Sequence, residues 1–278
     1  MNPSDVPDEP PPSYAESQNQ HKKLSAQAPA PNQPQPPKAS SLASQAPPPA
    51  AGPSQTPIIP RQFPPAFNLY YQGWPNNSYI LAEHQTHPLY LYSAHSGLSD
   101  LPPILLHSGP APTFSPLASA SFMFMSASFE VELPPVPGSG APLAREVVEP
   151  IGSHSGLGTG YSFAIEVGRG GNGPRERFEW RRSRGDVIAS LGGHYYGWKL
   201  VRMTHGAPGG GNLPLPPGGF RDSRGNEVVA AWTMGDGRSL TKVAHFKFMG
   251  TGLTGLLGER WAIMVVITGL ALFHRDRR

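Results

Sequence analysis

The sequence predicts a mainly β protein: an antiparallel sandwich or barrel with one apolar helix near the C-terminus, preceded by a disordered tail. Three observations carry this. Apolar residues alternate with polar ones at period two in several short runs, as in strands with one buried and one wet face. Turns bearing Gly, Asn and Asp separate the runs, with no helical pattern between them, which argues against parallel βαβ units. One uncharged stretch, 261–273, precedes a basic cluster.

The tail spans 1–65 and holds 18 of the 35 prolines but only two aromatics, Tyr14 and Phe63. Such a segment cannot bury enough apolar surface to offset the entropy of ordering it, so disorder is expected. Pro34, Pro36 and Pro37, then Pro47, Pro48 and Pro49, favour polyproline II locally. The remainder, 66–278, is long enough for one domain with a sizeable core.

Aromatics accumulate from residue 66 onward (Phe67, Tyr70, Tyr71, Trp74), and strand-like runs follow. Stretches 79–83, 89–94 and 104–107 are apolar and aromatic. Phe129, Val131 and Leu133 alternate with Glu130 and Glu132. Phe163, Ile165 and Val167 alternate with Ala164 and Glu166, and Phe178 and Trp180 with Glu179 and Arg181. Stretches 187–191, 198–203 and 228–234 are further strand candidates, and Phe246 and Phe248 flank Lys247. The expectation is ten to twelve strands. Arg184-Gly185-Asp186, Arg224-Gly225-Asn226 and Gly235-Asp236-Gly237 supply turns. The breaks at 134–160 and 206–219 read as long loops.

Residues 261–273 read WAIMVVITGLALF. As a helix they span about 20 Å, short of a hydrocarbon core about 30 Å thick. Lengthening the span would bury Glu259 and Arg260, which insertion into lipid disfavours. A tail anchor is therefore the weaker alternative. As a strand the stretch is too long. A buried helix fits best, with Trp261, Ile263, Met264, Val266, Ile267, Leu270 and Phe273 in the core. It is apolar all round, as an enclosed helix must be. The basic residues after it suit the negative end of the helix dipole.

Several motifs carry a family resemblance. Arg177-Phe178-Glu179-Trp180-Arg181, Gly197-Trp198-Lys199-Leu200-Val201, Ser239-Leu240-Thr241-Lys242 and Gly258-Glu259-Arg260-Trp261-Ala262-Ile263-Met264 resemble fungal proteins with a tubby C-terminal-like domain. More distantly, the layout of 66–278 is similar to phospholipid scramblases and plant LURP-one-related proteins. The resemblance implies a closed barrel of about twelve strands threaded by the hydrophobic C-terminal helix. It also implies binding of phosphoinositides or other anionic phospholipids. Scramblases carry a cysteine-rich palmitoylation site and a further membrane-associated tail. This chain has no cysteine, so lipid scrambling is not expected.

Composition narrows the function. The net charge of +3 is mild, which does not predict nucleic-acid binding. The absence of cysteine excludes disulfides, thiolate metal sites and thiol catalysis. The N-terminus lacks the apolar core of a secretory signal. A cytoplasmic monomer, peripheral at membranes in the lipid-binding reading, is expected, without cofactor or metal.

Two motifs could carry function. Pro11-Pro12-Ser13-Tyr14 is a PPxY sequence. WW domains bind polyproline II segments in aromatic-lined grooves; Pro11 and Pro12 present the ridge, and Tyr14 fills a second pocket. Asp5, Asp8, Glu9 and Glu16 suit a basic partner. The expected partner is a WW-domain protein, with HECT-type ubiquitin ligases the leading class. The second motif is basic: Arg175, Arg177, Arg181, Arg182, Arg184, Lys199 and Arg202 could offer an anionic-lipid patch. Solvated outer-wall charges are the alternative reading.

Other matches are weak. Gly168-x-Gly170-x-x-Gly173 precedes a strand pattern, not a helix, so it reads as a hairpin loop. His84 and His87 lack a third ligand. No catalytic constellation stands out. The chain reads as a non-enzymatic adaptor.

Overall fold

The computed structural model describes residues 62–73, 77–96, 99–135, 143–152, 160–171, 173–192, 196–206 and 219–277. The PPxY motif, and all but the last four residues of the 1–65 tail, lie outside them.

The domain is a closed antiparallel barrel of twelve strands around a C-terminal helix. The strands are β1 (Ala66–Tyr71), β2 (Ser78–Ala82), β3 (Tyr90–Ala94), β4 (Ile104–His107), β5 (Pro116–Phe122) and β6 (Phe129–Leu133). They continue with β7 (Ala144–Ile151), β8 (Gly160–Glu166), β9 (Arg175–Ser183), β10 (Gly197–Arg202), β11 (Glu227–Met234) and β12 (Lys242–Phe248). Each strand pairs with its sequence neighbours, and β1 closes the circle on β12. A short helix, α1 (Asp186–Ala189), lies between β9 and β10; the long helix, α2 (Glu259–Asp276), follows β12.

Three segments differ from the sequence expectation, one of them β5, whose run of small residues lies outside every expected strand stretch. Stretch 187–191 contributes to α1 and the turn after it, with Val187 and Ile188 buried side by side in sequence. The break at 134–160 contains β7. The barrel, the strand count and the buried helix follow the expectation.

Geometry explains why the barrel needs the helix. Twelve strands spaced about 4.8 Å apart and tilted about 40° enclose a circle roughly 24 Å across. An α-helix is about 10 Å wide. One helix and a surrounding layer of inward side chains fill that space. Accordingly α2 is buried on all sides: Trp261, Ile263, Met264, Val266, Ile267, Leu270 and Phe273 are each at most 6% exposed. Inward residues of the wall meet it. Trp180, Phe246 and Trp232 crowd around Gly269, where an added Cβ would lie 3.3 Å from the Phe246 ring. Among the described residues, no helix is long and apolar enough to cross a membrane.

The one hydroxyl inside α2 is fully used. Thr268 donates to the Met264 carbonyl at 2.7 Å, a local bond that helical Thr makes readily. Its oxygen also accepts the Trp180 indole N–H at 2.9 Å, tying helix to wall.

Where α2 enters, Gly258 has φ +89°, and a Cβ there would sit 2.2 Å from the Gly168 carbonyl oxygen. Only glycine tolerates this backbone and this approach. The adjoining bond, Gly168 N–H to Leu257 carbonyl at 3.1 Å, fixes the entrance.

The β7–β8 seam is incomplete. Pairing covers only Glu149–Ile151 against Gly160–Ser162. Beyond it, side chains replace the ladder. Arg175 donates to the Ala164 carbonyl at 2.7 Å. The same guanidinium binds Glu146 at 2.6 Å and also Glu166. Arg260 of α2 approaches both acids, at 3.5 Å to Glu166 and 3.8 Å to Glu146.

Two outcomes follow. Thr268→Val leaves the Trp180 N–H buried without its acceptor and should cost about 1–3 kcal/mol in denaturant unfolding. Arg175→Met should open the seam, read as faster amide exchange at β8 residues beyond Ser162, with exchange in β10–β11 unchanged.

Candidate functional site

The seven basic residues expected to form a patch fall into three places. Arg175, Arg177 and Arg181 occupy alternate, outward positions of β9, and Lys199 lies opposite Arg181 on β10. Arg202 points inward and is 1% exposed. Arg182 and Arg184 lie at the end of the barrel where α2 emerges, the exit end.

Most of these charges are already matched. Besides the Arg175 seam contacts, Arg181 binds Glu179 and Asp222, each at 2.6 Å. Arg177 lies 3.4 Å from Glu179. Arg202 grips Glu176 with two bonds, at 2.6 and 2.9 Å, and donates to the Gly206 carbonyl. A guanidinium already engaged by carboxylates has fewer donors left for an anionic ligand. Arg184 and Lys199 have no ion pair among the described residues. The β9 face of the wall is therefore largely neutralised, whereas Lys199 on β10 and Lys242 and Lys247 on β12 have no ion pair among the described residues.

Titration follows the same contacts. Burial would raise the Asp222 carboxyl, but the Asn226 side chain, the Asn226 and Arg224 backbone N–H groups and Arg181 together hold it below the usual range. Glu166 is likewise lowered: burial opposes the shift, and its own backbone N–H, Arg175 and Arg260 outweigh it.

The exit end has a different character. Connections β3–β4, β5–β6, β9–β10 and β11–β12 meet there with the C-terminus of α2. Five of the eight exposed large hydrophobics among the described residues sit on these turns: Leu101, Met123, Phe124, Met125 and Leu240. Phe124 and Met125 are each 92% exposed, and Leu240 is 97% exposed. Sequence reasoning missed this rim. Its signal was present, since Met123-Phe124-Met125 interrupts a turn where polar residues are the norm.

Arginines accompany the apolar tips. Arg275 lies over the rings of Phe122 and Tyr161, at 5.5 and 5.2 Å. Arg277 lies over Tyr79 and Phe273, at 5.6 and 5.4 Å. Arg182 lies over Trp198 at 5.0 Å and pairs with Asp276 at 2.8 Å. Asp236 pairs with Arg238 at 3.5 Å. Asp100 and Asp186 are the exposed acids that remain on these turns.

A recess of about 390 Å³ opens at this end, lined by Asn77, Tyr79, His95, Ser96, His274 and Arg277 among others. His95 Nε2 is buried without a hydrogen-bond partner among the described residues. Burial, then the neighbouring His107, lowers the His95 pKa. Tyr92 hydroxyl meets His274 Nδ1 at 2.9 Å, which steadies the recess wall.

Comparison of this chain with protein-family models, with curated proteins and with solved structures finds no match.

Asp222 gives a test of the wall. A carboxyl with a lowered folded pKa adds stability above its unfolded pKa, and that stability fades as pH falls through the folded value. Asp222→Asn should therefore be less stable than the parent at pH 7. The gap should close as pH drops below about 4.

Proposed function

We propose that this chain is a non-enzymatic adaptor. The exit end of its barrel rests on an anionic membrane, and its PPxY tail recruits a WW-domain protein, such as a HECT-type ubiquitin ligase. The observation that carries the membrane half is the clustering of exposed apolar side chains and arginines at one end. Phe124 and Met125 on the β5–β6 turn and Leu240 on the β11–β12 turn stand half a circuit of the barrel apart. Tips on opposite sides of a rim can meet a flat partner together. A bilayer surface accepts both components: apolar tips enter the acyl boundary and arginines meet anionic headgroups. The recess with Asn77, His95 and Arg277 offers a place for a phosphate headgroup. The resemblance of 66–278 to tubby C-terminal-like domains points the same way.

The tail half rests on Pro11, Pro12 and Tyr14. A barrel seated on a membrane would place a WW-bound ligase near membrane substrates.

Vesicle flotation of the full chain tests the first half. Binding to phosphatidylserine vesicles should fall roughly tenfold or more in a Phe124→Ser, Met125→Ser, Leu240→Ser variant, since each tip loses its apolar burial. Carbonate washing should release the bound protein. An unchanged bound fraction in the triple variant sinks the membrane reading. A peptide of residues 5–18 should bind WW domains and lose binding on Tyr14→Ala; no binding, or no effect of that change, removes the tail half.

A further inference from the structure

The opposite end of the barrel, where α2 enters, holds a second feature remote from the proposed membrane rim. A cavity of about 590 Å³ opens beside the first turn of α2. Small-molecule sites span about 300–1,000 Å³ and are mostly apolar with a few polar groups. This one has that make-up. Phe63 ahead of β1, Leu117 on β5, Phe248 at the end of β12, and Trp261 and Ile263 on α2 form apolar wall. Its charged groups are Arg169, Glu259 and Arg260.

Polar capacity is left over here. Arg169 is exposed and has no ion pair among the described residues. Trp261 is 2% exposed, and its indole Nε1 is buried with no hydrogen-bond partner among the described residues. Buried indole N–H groups ordinarily find one. The first intrahelical bond of α2 is Ala262 N–H to Gly258 carbonyl, at 3.2 Å. The N–H groups of Glu259, Arg260 and Trp261 precede it, and no side chain caps them. Such donors carry partial positive charge. Arg260 is not free, because Glu166, Glu146 and the Pro134 carbonyl share it.

We propose that this cavity binds a single-chain anionic amphiphile of the fatty-acid kind. The alkyl chain lies among Phe63, Leu117, Phe248 and Ile263, and the anionic head lies towards Arg169 and the first turn of α2. Glu259 opposes an anion, but it is exposed, and water screens its repulsion as it screens the attraction of Arg169. The chain therefore supplies most of the affinity.

The test is titration of the full chain with a fluorescent polyene fatty acid below its micellar concentration. Competitors are palmitate, its methyl ester and lysophosphatidylcholine. Saturable binding is expected. Ala262→Trp and Leu117→Trp each place a ring in the cavity and should weaken binding about tenfold or more. Arg169→Ala should weaken palmitate roughly threefold and leave the methyl ester unchanged. Palmitate should displace the probe more strongly than lysophosphatidylcholine; equal displacement by this zwitterionic lipid overturns the anionic head. A fatty acid with a photoreactive alkyl group should crosslink to peptides containing Leu117 or Ile263, which locates the site without any variant. Absence of saturable binding overturns the proposal. So do crosslinks confined to the exit-end turns, or binding unmoved by tryptophan variants that melt like the parent. The Phe124→Ser, Met125→Ser, Leu240→Ser variant should still bind the probe, so failure of the membrane reading leaves this test intact.

Discussion

A barrel of twelve strands is too wide to be filled by side chains from its own wall, and that constraint governs this molecule. The filling is α2. Its uniformly apolar surface, which would be a liability on any exposed helix, is what an enclosing wall requires. The wall answers with aromatic residues, and midway along the helix a polar thread, Trp180 to Thr268, joins the two. Buried tyrosines extend the same logic towards the exit: Tyr79 stacks on Tyr92 with ring centres 5.1 Å apart, and both meet the edge of Phe273. Burial raises the Tyr79 pKa, in keeping with a phenol held inside a packed cluster.

The ends of the helix divide the labour. At its start, glycine and an arginine-centred network anchor it against the β8–β9 loop and the incomplete seam. At its finish, Asp276 accepts bonds from Trp198 and Arg182, each at 2.8 Å, and the last arginines spread over aromatic rings. The β9 face between is electrically settled, with acids and bases interleaved. Most of the exposed apolar side chains collect at the ends, and that asymmetry, more than total charge, separates the surfaces available to partners from those that hold the barrel shut.

Much of the barrel was legible in the sequence for two reasons: β6 and β12 bury alternate residues, so their alternation survives, while β2, β3, β4 and β11 bury successive residues and stand out by their apolar and aromatic content. β7 was hidden for a physical reason. Its buried positions include Glu146, turned in to meet Arg175, while Val147 faces water, so the usual polarity is inverted. α1 was read as strand because four residues with Val187 and Ile188 do not distinguish the two periods. The fate of the basic stretch was not legible either. Glu146 lies 29 residues from Arg175, Glu176 lies 26 from Arg202, and Asp222 lies 41 from Arg181. Only the closed sheet brings these partners together. The exit-end rim escaped notice because apolar residues are ordinarily assigned to the core, and exposure is a property of the fold.

The order of elements along the chain has a consequence for biogenesis. β1 must find β12 across nearly the whole domain, and α2 is translated only after every strand it fills. A nascent chain bearing all twelve strands but no helix would enclose a void lined with tryptophan and phenylalanine. Closing the ring relies on contacts between the two ends of the domain, and long-range contacts of that kind slow folding. During synthesis the unfinished sheet needs protection from other chains, and its safest guard is the arrival of its own last segment.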